Sequence, residues 1–440
     1  MPPRLENVVM QDSAAVLRSP FARGTRLEGF DLDRLLAPSQ AVVAYLASAH
    51  LARPVIEMAR LEDAAGRILA RDANAREDHP SHARSTMDGF ALAAAVGKNP
   101  RRVVGAVTMG RPAPRGIAND EAMWIPTGGA LPDGADAVVP QEDVTIAGDT
   151  IAPRDRIEPG AFVSARASDI AAGSAVLEAG RRIGGAELGV LATLGIVRVP
   201  VFRKPRVALL STGDELVDPG RDLAIGEIRD SNRYALAGAL AALGATPVHI
   251  PRARDTHESI DAALREALAT CDAAITTGGS SVGERDYVPH VVEAMHPGAT
   301  IVHGLRVKPG KPTLLAAIDG KAVIGLPGNP TSSLMIFEAV LRPIVAALLG
   351  ERRACPTLVK AIATAPFIGR DGWTHYVPAR LFLRGDALYA EPLPIRSAQT
   401  SLLARASGYA TIGESPARID AGQRLAIALF SGGGAPIEAA

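Results

Sequence analysis

The stretch AAITTGGSSVGERD (residues 273–286) reads as a strand, Ala273 to Thr277, that runs straight into a Gly278-Gly279 turn. Outward from it the same strand–turn–helix rhythm repeats. Arg206 to Leu210, Thr246 to Ile250 and Lys321 to Leu326 read as strands. Leu236, Leu240 and Leu243 mark one face of a helix that Asp230 or Ser231 can cap. Ile260, Leu264 and Leu268 mark a second helix from His257. After the Lys321 strand, Asn329 is suited to cap a long helix and Pro330 to occupy its first position. Alternating β and α segments of this length predict a doubly wound α/β domain over residues 205–353, with a mostly parallel sheet covered on both faces.

The 440 residues exceed one ordinary domain and suggest roughly three. Hydrophobic residues at 47% and charged residues at 21% are a globular composition. Lys plus Arg and Asp plus Glu are both 47, and this balance argues against nucleic-acid binding through bulk charge. Cys271 and Cys355 are the only cysteines and form no CxxC, which excludes a disulfide framework and argues against structural zinc. No apolar run reaches the ~20 residues of a membrane span, since Arg342 and Pro343 interrupt the apolar stretch near Val340 to Leu349. With no leader-like start, the expectation is a cytoplasmic protein away from membranes.

Elsewhere the pattern is coarser. Residues 1–35 read as a flexible extension. A helix is expected from Ser39 as N-cap, with Val42, Val43 and Leu46 on one face, and another over Leu61 to Leu69. Short Val-rich runs among Gly, Pro and Asp predict a small β-rich domain over 74–166. Apolar segments return after Ala171, Arg198 to Pro205 reads as a linker, and 354–440 reads as a terminal β-domain.

Ligands of open parallel sheets bind outside the C-terminal strand ends. Four glycine- or lysine-rich clusters fall there: Ser211-Thr212-Gly213-Asp214-Glu215, Thr276 to Asp286 (with Gly278, Gly279, Ser280 and Gly283), Lys308-Pro309-Gly310-Lys311 with Pro312, and Gly325 to Ser333. The last carries Pro327, Gly328, Asn329 and Ser332. Glycine lets backbone approach a ligand, and helix N-termini favour anions. One such turn is ordinary βα connection chemistry, but four on one rim indicate a site for a phosphate-bearing small molecule. Glu215, Asp255 and Asp286 lie at or just past strand ends, as Mg²⁺ ligands or acceptors for an organic ligand do. From local sequence, Asp255 serves equally well as a helix N-cap.

In order and spacing, these segments resemble the molybdopterin molybdenumtransferase family, MoeA in bacteria and the E domain of gephyrin-type proteins. The resemblance runs from about Leu36 to the end. It rests on GRILA (66–70), STMDGFA (85–91), TGGALPDGADAVV (127–139), STGDEL (211–216), DSN (230–232), TGGSSVGERDY (277–287), KPGKP (308–312) and GLPGNPTSS (325–333).

The resemblance implies a homodimer of multidomain α/β subunits. A split first domain (36–73 plus 167–204, dimerisation) surrounds an inserted β-rich second domain (74–166). A molybdopterin-binding α/β domain related to MogA (205–353) and a C-terminal β-domain (354–440) follow. It implies the reaction too: molybdate enters adenylylated molybdopterin, and Mg²⁺ assists cleavage of the phosphoanhydride to give AMP and Mo-molybdopterin. Lys308, Lys311 and Ser332 would then hold molybdate, Asp255 and Asp286 Mg²⁺, and Glu215 would orient the ligand. Asp88, Thr127 and Asp169 would complete the cleft from the partner subunit. Transient contact with the molybdopterin adenylyltransferase and with apo-molybdoenzymes is also implied. The chain departs from the family pattern at His82 and Ala83, at Gly304, where relatives carry a basic residue, and at Ser164 and Ala167 ahead of Asp169. At this level the adenylyltransferase itself, which shares the Thr-Gly-Gly turn, and a non-catalytic molybdopterin-binding scaffold remain alternatives.

Overall fold

The computed structural model describes residue 30 and residues 35–281, 286–352, 355–395, 399, 401–413 and 417–439. Apart from Phe30 and Leu35, the expected extension lies outside the described residues, as does Gly283. The chain divides into two compact units, one of residues 1–57 with 202–440 and one of 58–201.

In the first unit a six-stranded sheet forms from β1 (Arg206–Ser211), β2 (Thr246–His249), β3 (Ala273–Thr277), β4 (Thr300–His303), β5 (Leu314–Ile318) and β6 (Lys321–Leu326), in the order β2-β1-β3-β6-β5-β4. β2, β1, β3 and β6 run parallel, whereas β5 is antiparallel to both its neighbours. The reversal is made by Asp319-Gly320, both at positive φ (50° and 74°), the geometry a two-residue hairpin needs. That Asp-Gly signal was legible in the sequence. Helices Asn232–Leu243, His257–Thr270, Val288–Met295 and Pro330–Ile336 cover the sheet. Their apolar faces supply its core, with Ile260, Leu264, Val288 and Val292 packed against Ala208, Leu210, Ala274 and Val323.

The helical run Pro330–Leu349 spans 20 residues at a mean hydropathy of 1.8, so it does reach membrane-span length despite Arg342 and Pro343. Two-thirds of it is buried. Its apolarity is that of a core helix enclosed by its own domain. Before the sheet, the helix Pro38–Ser48 starts two residues earlier than expected, with Ala37 rather than Ser39 at the N-cap position and Pro38 at its first position. It buries Pro38, Ala41, Val42 and Tyr45, while Val43 and Leu46 face outward. Tyr45 donates its hydroxyl to Ala316 O of β5 at 3.0 Å.

The C-terminal part closes into a five-stranded ring: Thr374–Arg384, Ala387–Pro392, Leu358–Ala363, Arg424–Leu429, Gly408–Ile412 and back to Thr374–Arg384. Phe367, Leu381, Ile412 and Ile427 fill it. The short strand Val307–Lys308 joins Thr374–Arg384 in parallel, pairing Lys308 with His375.

In the second unit a six-stranded mixed sheet buries alternate residues on opposite faces. Phe90, Leu92 and Val139 lie in one cluster; Ala91, Met123 and Val138 lie in the other. A separate cluster joins Ala64, Leu69 and Ala73 to Leu177, Ile183, Leu191, Val199 and Val201, so it draws on both sides of the stretch that builds the sheet. The helix expected over Leu61 to Leu69 is a single 3₁₀ turn, Leu61–Asp63, because Gly66 takes a left-handed φ of 73°. The expected linker at Arg198 contains a strand, Arg198–Phe202, paired with Ile56–Arg60.

Candidate functional site

Strand register makes the rim. Ser211 pairs with Thr277, and Thr277 with Leu326, so β1, β3 and β6 end flush and their loops leave side by side. Thr212 donates its N–H to Thr277 O at 2.9 Å, and Gly278 donates to Leu326 O at 3.1 Å. Gly278 and Gly279 both take positive φ, 89° and 59°. A Cβ on Gly278 would fall 2.7 Å from Thr212 O, so glycine is required by close approach as well as by conformation. Gly328 lies across from it; a Cβ there would sit 3.6 Å from the Gly278 Cα.

Ser280 links this rim to the lysine loop. Its buried hydroxyl lies 2.9 Å from Pro312 O and 3.0 Å from Leu326 O, so its proton is shared between the Lys-Pro-Gly-Lys-Pro loop and the end of β6. In that loop Gly310, at φ 105°, admits the Ile336 side chain that a Cβ would strike. Lys308 is exposed and Lys311 half-buried. Beyond β6, Asn329 caps the following helix by accepting from Ser332 N–H at 3.2 Å, and Ser333 donates to Pro327 O. Glu215 is exposed, its carboxylate beside Gly213, whose φ is 145°.

Asp255 does not cap the helix His257–Thr270; Thr256 does, accepting from Ser259 N–H at 3.3 Å. Asp255 stands two residues past Ala253, which bridges Thr212, and Asp286 stands two before Val288, which donates to Gly279 O at 3.1 Å. Both carboxylates thus belong to loops flanking the Thr212–Gly278 contact. No group of three His, Cys, Asp or Glu suited to a metal forms among the described residues.

Three residues that sequence reasoning did not select belong to this rim. Asn232 donates to Gly328 O at 2.8 Å, and its buried Oδ1 accepts nothing among the described residues. His303 contacts Ser280 O through Nε2 at 3.0 Å, and burial holds its pKa below the ordinary value. His375 joins Lys308 in lining a cavity of about 400 Å³, together with Ile368, Tyr376 and Leu393. Burial first, then the charges of Lys308 and Arg370, hold the His375 pKa down. The Asp-Ser-Asn motif could have signalled Asn232; no local signal marks the histidines, which strand pairing and sheet order bring into place.

In the second unit Asp88 and Thr127 come together: Thr127 donates its N–H to Asp88 Oδ1 at 2.6 Å, which holds the Asp88 carboxyl below the usual carboxylate range. Asp169 is exposed, its own N–H bonded to His79 O at 3.2 Å.

Family models match in three segments: the MoeA N-terminal region (domain I and II) over residues 36–195, a probable molybdopterin binding domain over 208–347, and the MoeA C-terminal region (domain IV) over 360–430. The chain is 33% identical to the molybdopterin molybdenumtransferase of Synechocystis sp. over 373 residues, 81% of this chain and 91% of that protein. With the Haemophilus influenzae protein of the same name it shares 35% over 312 residues, 70% and 77% of the two chains. The molybdopterin biosynthesis MoeA protein from Pyrococcus horikosii superposes with a TM-score of 0.73 at 32% identity, over 90% of this chain and 99% of that one. The structure described as the molybdopterin biosynthesis MoeA protein from Pyrococcus horikoshii OT3 gives a TM-score of 0.79 at 25% identity over 90% of this chain and 100% of that one. The flush strand ends, the glycine turn tied to the lysine loop and these matches over most of the chain agree: the chain belongs to the MoeA family of molybdopterin molybdenumtransferases, transferases of molybdenum cofactor biosynthesis.

Proposed function

We propose that the chain inserts molybdate into adenylylated molybdopterin at the strand-end rim of its α/β domain, cleaving the phosphoanhydride and releasing AMP and Mo-molybdopterin. The observation that carries this reading is the Ser280 link, which holds a phosphate-type glycine turn and a two-lysine loop against one row of strand ends. Glycine at 213, 278 and 279 lets the phosphates come close to the backbone of Thr212, Gly213, Gly278 and Gly279. The N–H groups of Thr212 and Gly278 are already held by Thr277 O and Leu326 O, so the donors offered are those of Gly213 and Gly279. Lys308 and Lys311, with Ser332 beside its helix start, receive the molybdate dianion.

Asp255 and Asp286 would hold Mg²⁺. Two hard oxygen donors on loops flanking the cradle suit a cation that keeps several waters and takes phosphate oxygens as its other ligands. When bound, it neutralises charge that builds on the pyrophosphate as the bridge breaks. Glu215 orients the organic part of the ligand. Asp88, Thr127 and Asp169 act from the partner subunit in a homodimer. Both cysteines are free, in keeping with a reducing cytoplasmic setting.

The test supplies adenylylated molybdopterin and molybdate to the pure protein and follows AMP. Molybdate-dependent AMP release that falls at least about tenfold in Lys308→Ala, the loss of one charge-assisted contact, is the expected result. ATP-dependent adenylylation of molybdopterin without molybdate insertion would overturn the reading in favour of the preceding enzyme of the route. Equal AMP release by wild type and Lys308→Ala would refute the lysine clamp.

A further inference from the structure

Phe30 stands five residues ahead of Leu35, and it sits against the lysine loop. The Lys311 ammonium lies 5.1 Å from the centre of its ring. The ring also meets the His303 imidazole edge-on, with centroids 5.2 Å apart and 74° between the planes. Since His303 contacts Ser280 O, Phe30 touches both the lysine loop and a side chain tied to the glycine turn. A glycine makes its seat: a Cβ on Gly304, whose φ is 91°, would fall 2.6 Å from the Phe30 ring. The chain is pinned just downstream. Leu36 forms a parallel bridge with Leu305 and accepts from Arg306 N–H at 2.8 Å, and Leu35 is buried beside the same glycine.

We infer that Phe30 is a positioning residue for Lys311, holding its ammonium against the ring face so that the remaining N–H donors meet the incoming oxyanion. A lysine side chain has a flexible four-carbon stem and a strongly hydrated head, so it loses much freedom when it must stand in one place. An aromatic face attracts the ammonium on one side. It does not compete for the N–H groups on the other. The inference rests on the reading of Lys308 and Lys311 as the molybdate clamp.

The experiment compares full-length wild type, Phe30→Leu, Phe30→Tyr and Lys311→Gln. Molybdate is titrated in the AMP-release assay, and acylation of Lys311 by an amine-reactive ester is followed by peptide mass spectrometry. Phe30→Leu keeps apolar bulk but has no ring face. It should raise the half-saturating molybdate concentration about 2- to 5-fold with little change in kcat, and speed Lys311 acylation. Phe30→Tyr keeps the face and should stay close to wild type in both. A purely packing role predicts the opposite ranking, with leucine tolerated. A Phe30→Leu protein with wild-type half-saturation and acylation, or a Phe30→Tyr protein as impaired as Phe30→Leu, overturns the inference. If Lys311→Gln leaves the molybdate titration unchanged, the clamp reading itself has failed and the inference falls with it, even where Phe30→Leu still speeds acylation.

Discussion

Replacing Gly278 by alanine, with Gly298→Ala as its control, separates two costs that usually come together. Both glycines take left-handed φ, 89° and 81°, and an L-residue held there costs about 1–2 kcal/mol. A Cβ on Gly298 would meet nothing within 4 Å. On Gly278 it would fall 2.7 Å from Thr212 O and 2.8 Å from Thr212 Oγ1. Those atoms cannot retreat cheaply, because Thr212 is stitched to Thr277 O by its N–H at 2.9 Å and its hydroxyl at 3.3 Å. Overpacking against fixed backbone adds about 1–3 kcal/mol. The expectation is therefore a loss of roughly 2–5 kcal/mol for Gly278→Ala against about 1–2 for Gly298→Ala. Urea unfolding followed by far-ultraviolet circular dichroism would read the difference. Molybdopterin affinity should fall at least about tenfold in Gly278→Ala only, since a displacement costing over 1.4 kcal/mol at the rim is a factor of ten in binding. Equal destabilisation of the two variants would refute the tight Thr212–Gly278 approach and with it the geometry of the rim.

Two further outcomes follow from the same geometry. Asn232→Asp should be more harmful than Asn232→Ala, because it sets a carboxylate against Gly328 O where an amide now donates at 2.8 Å. Asn232→Ala forfeits a hydrogen bond worth about 0.5–1.5 kcal/mol, and a ranking with alanine worse, measured by urea unfolding at pH 7, would contradict the assigned amide orientation. His375, with its pKa held below the ordinary 6.5 by burial and by Lys308 and Arg370, binds fewer protons folded than unfolded. Stability should rise with pH through the window below about 6.5 and be lost as pH falls through it. His375→Gln should flatten the slope between pH 7 and 5; an unchanged slope would show that the imidazole is not desolvated beside Lys308.

The α/β domain was largely legible because its signals are local. The parallel strands are short, mostly apolar runs stopped by Ser211, Pro251, Gly278 and Pro327 at or just past their ends, and Asn329 with Pro330 announces a helix start that the structure retains. The motif order that carried the family resemblance was equally a property of the linear chain. Other local readings failed for identifiable reasons. Leu61 to Leu69 has helical spacing, but the left-handed Gly66 interrupts it. The Asp319-Gly320 hairpin, which turns β5 antiparallel, had a clear two-residue signal and was missed beside the stronger parallel pattern.

By itself, then, the sequence determined the α/β class, the rim of glycine and lysine loops, and membership of a molybdenum-handling family. Each is encoded in residues close together along the chain. Tertiary structure alone decided which loops meet. Ser280 reaches Pro312, 32 residues on, and Asn232 reaches Gly328, 96 residues on. Lys308 pairs in a sheet with His375, and Phe30 fits a seat that Gly304 leaves open. Local pattern fixes where a strand or turn forms, but not its distant partner. That partner is chosen by packing and by satisfying buried hydrogen-bonding groups across the whole domain.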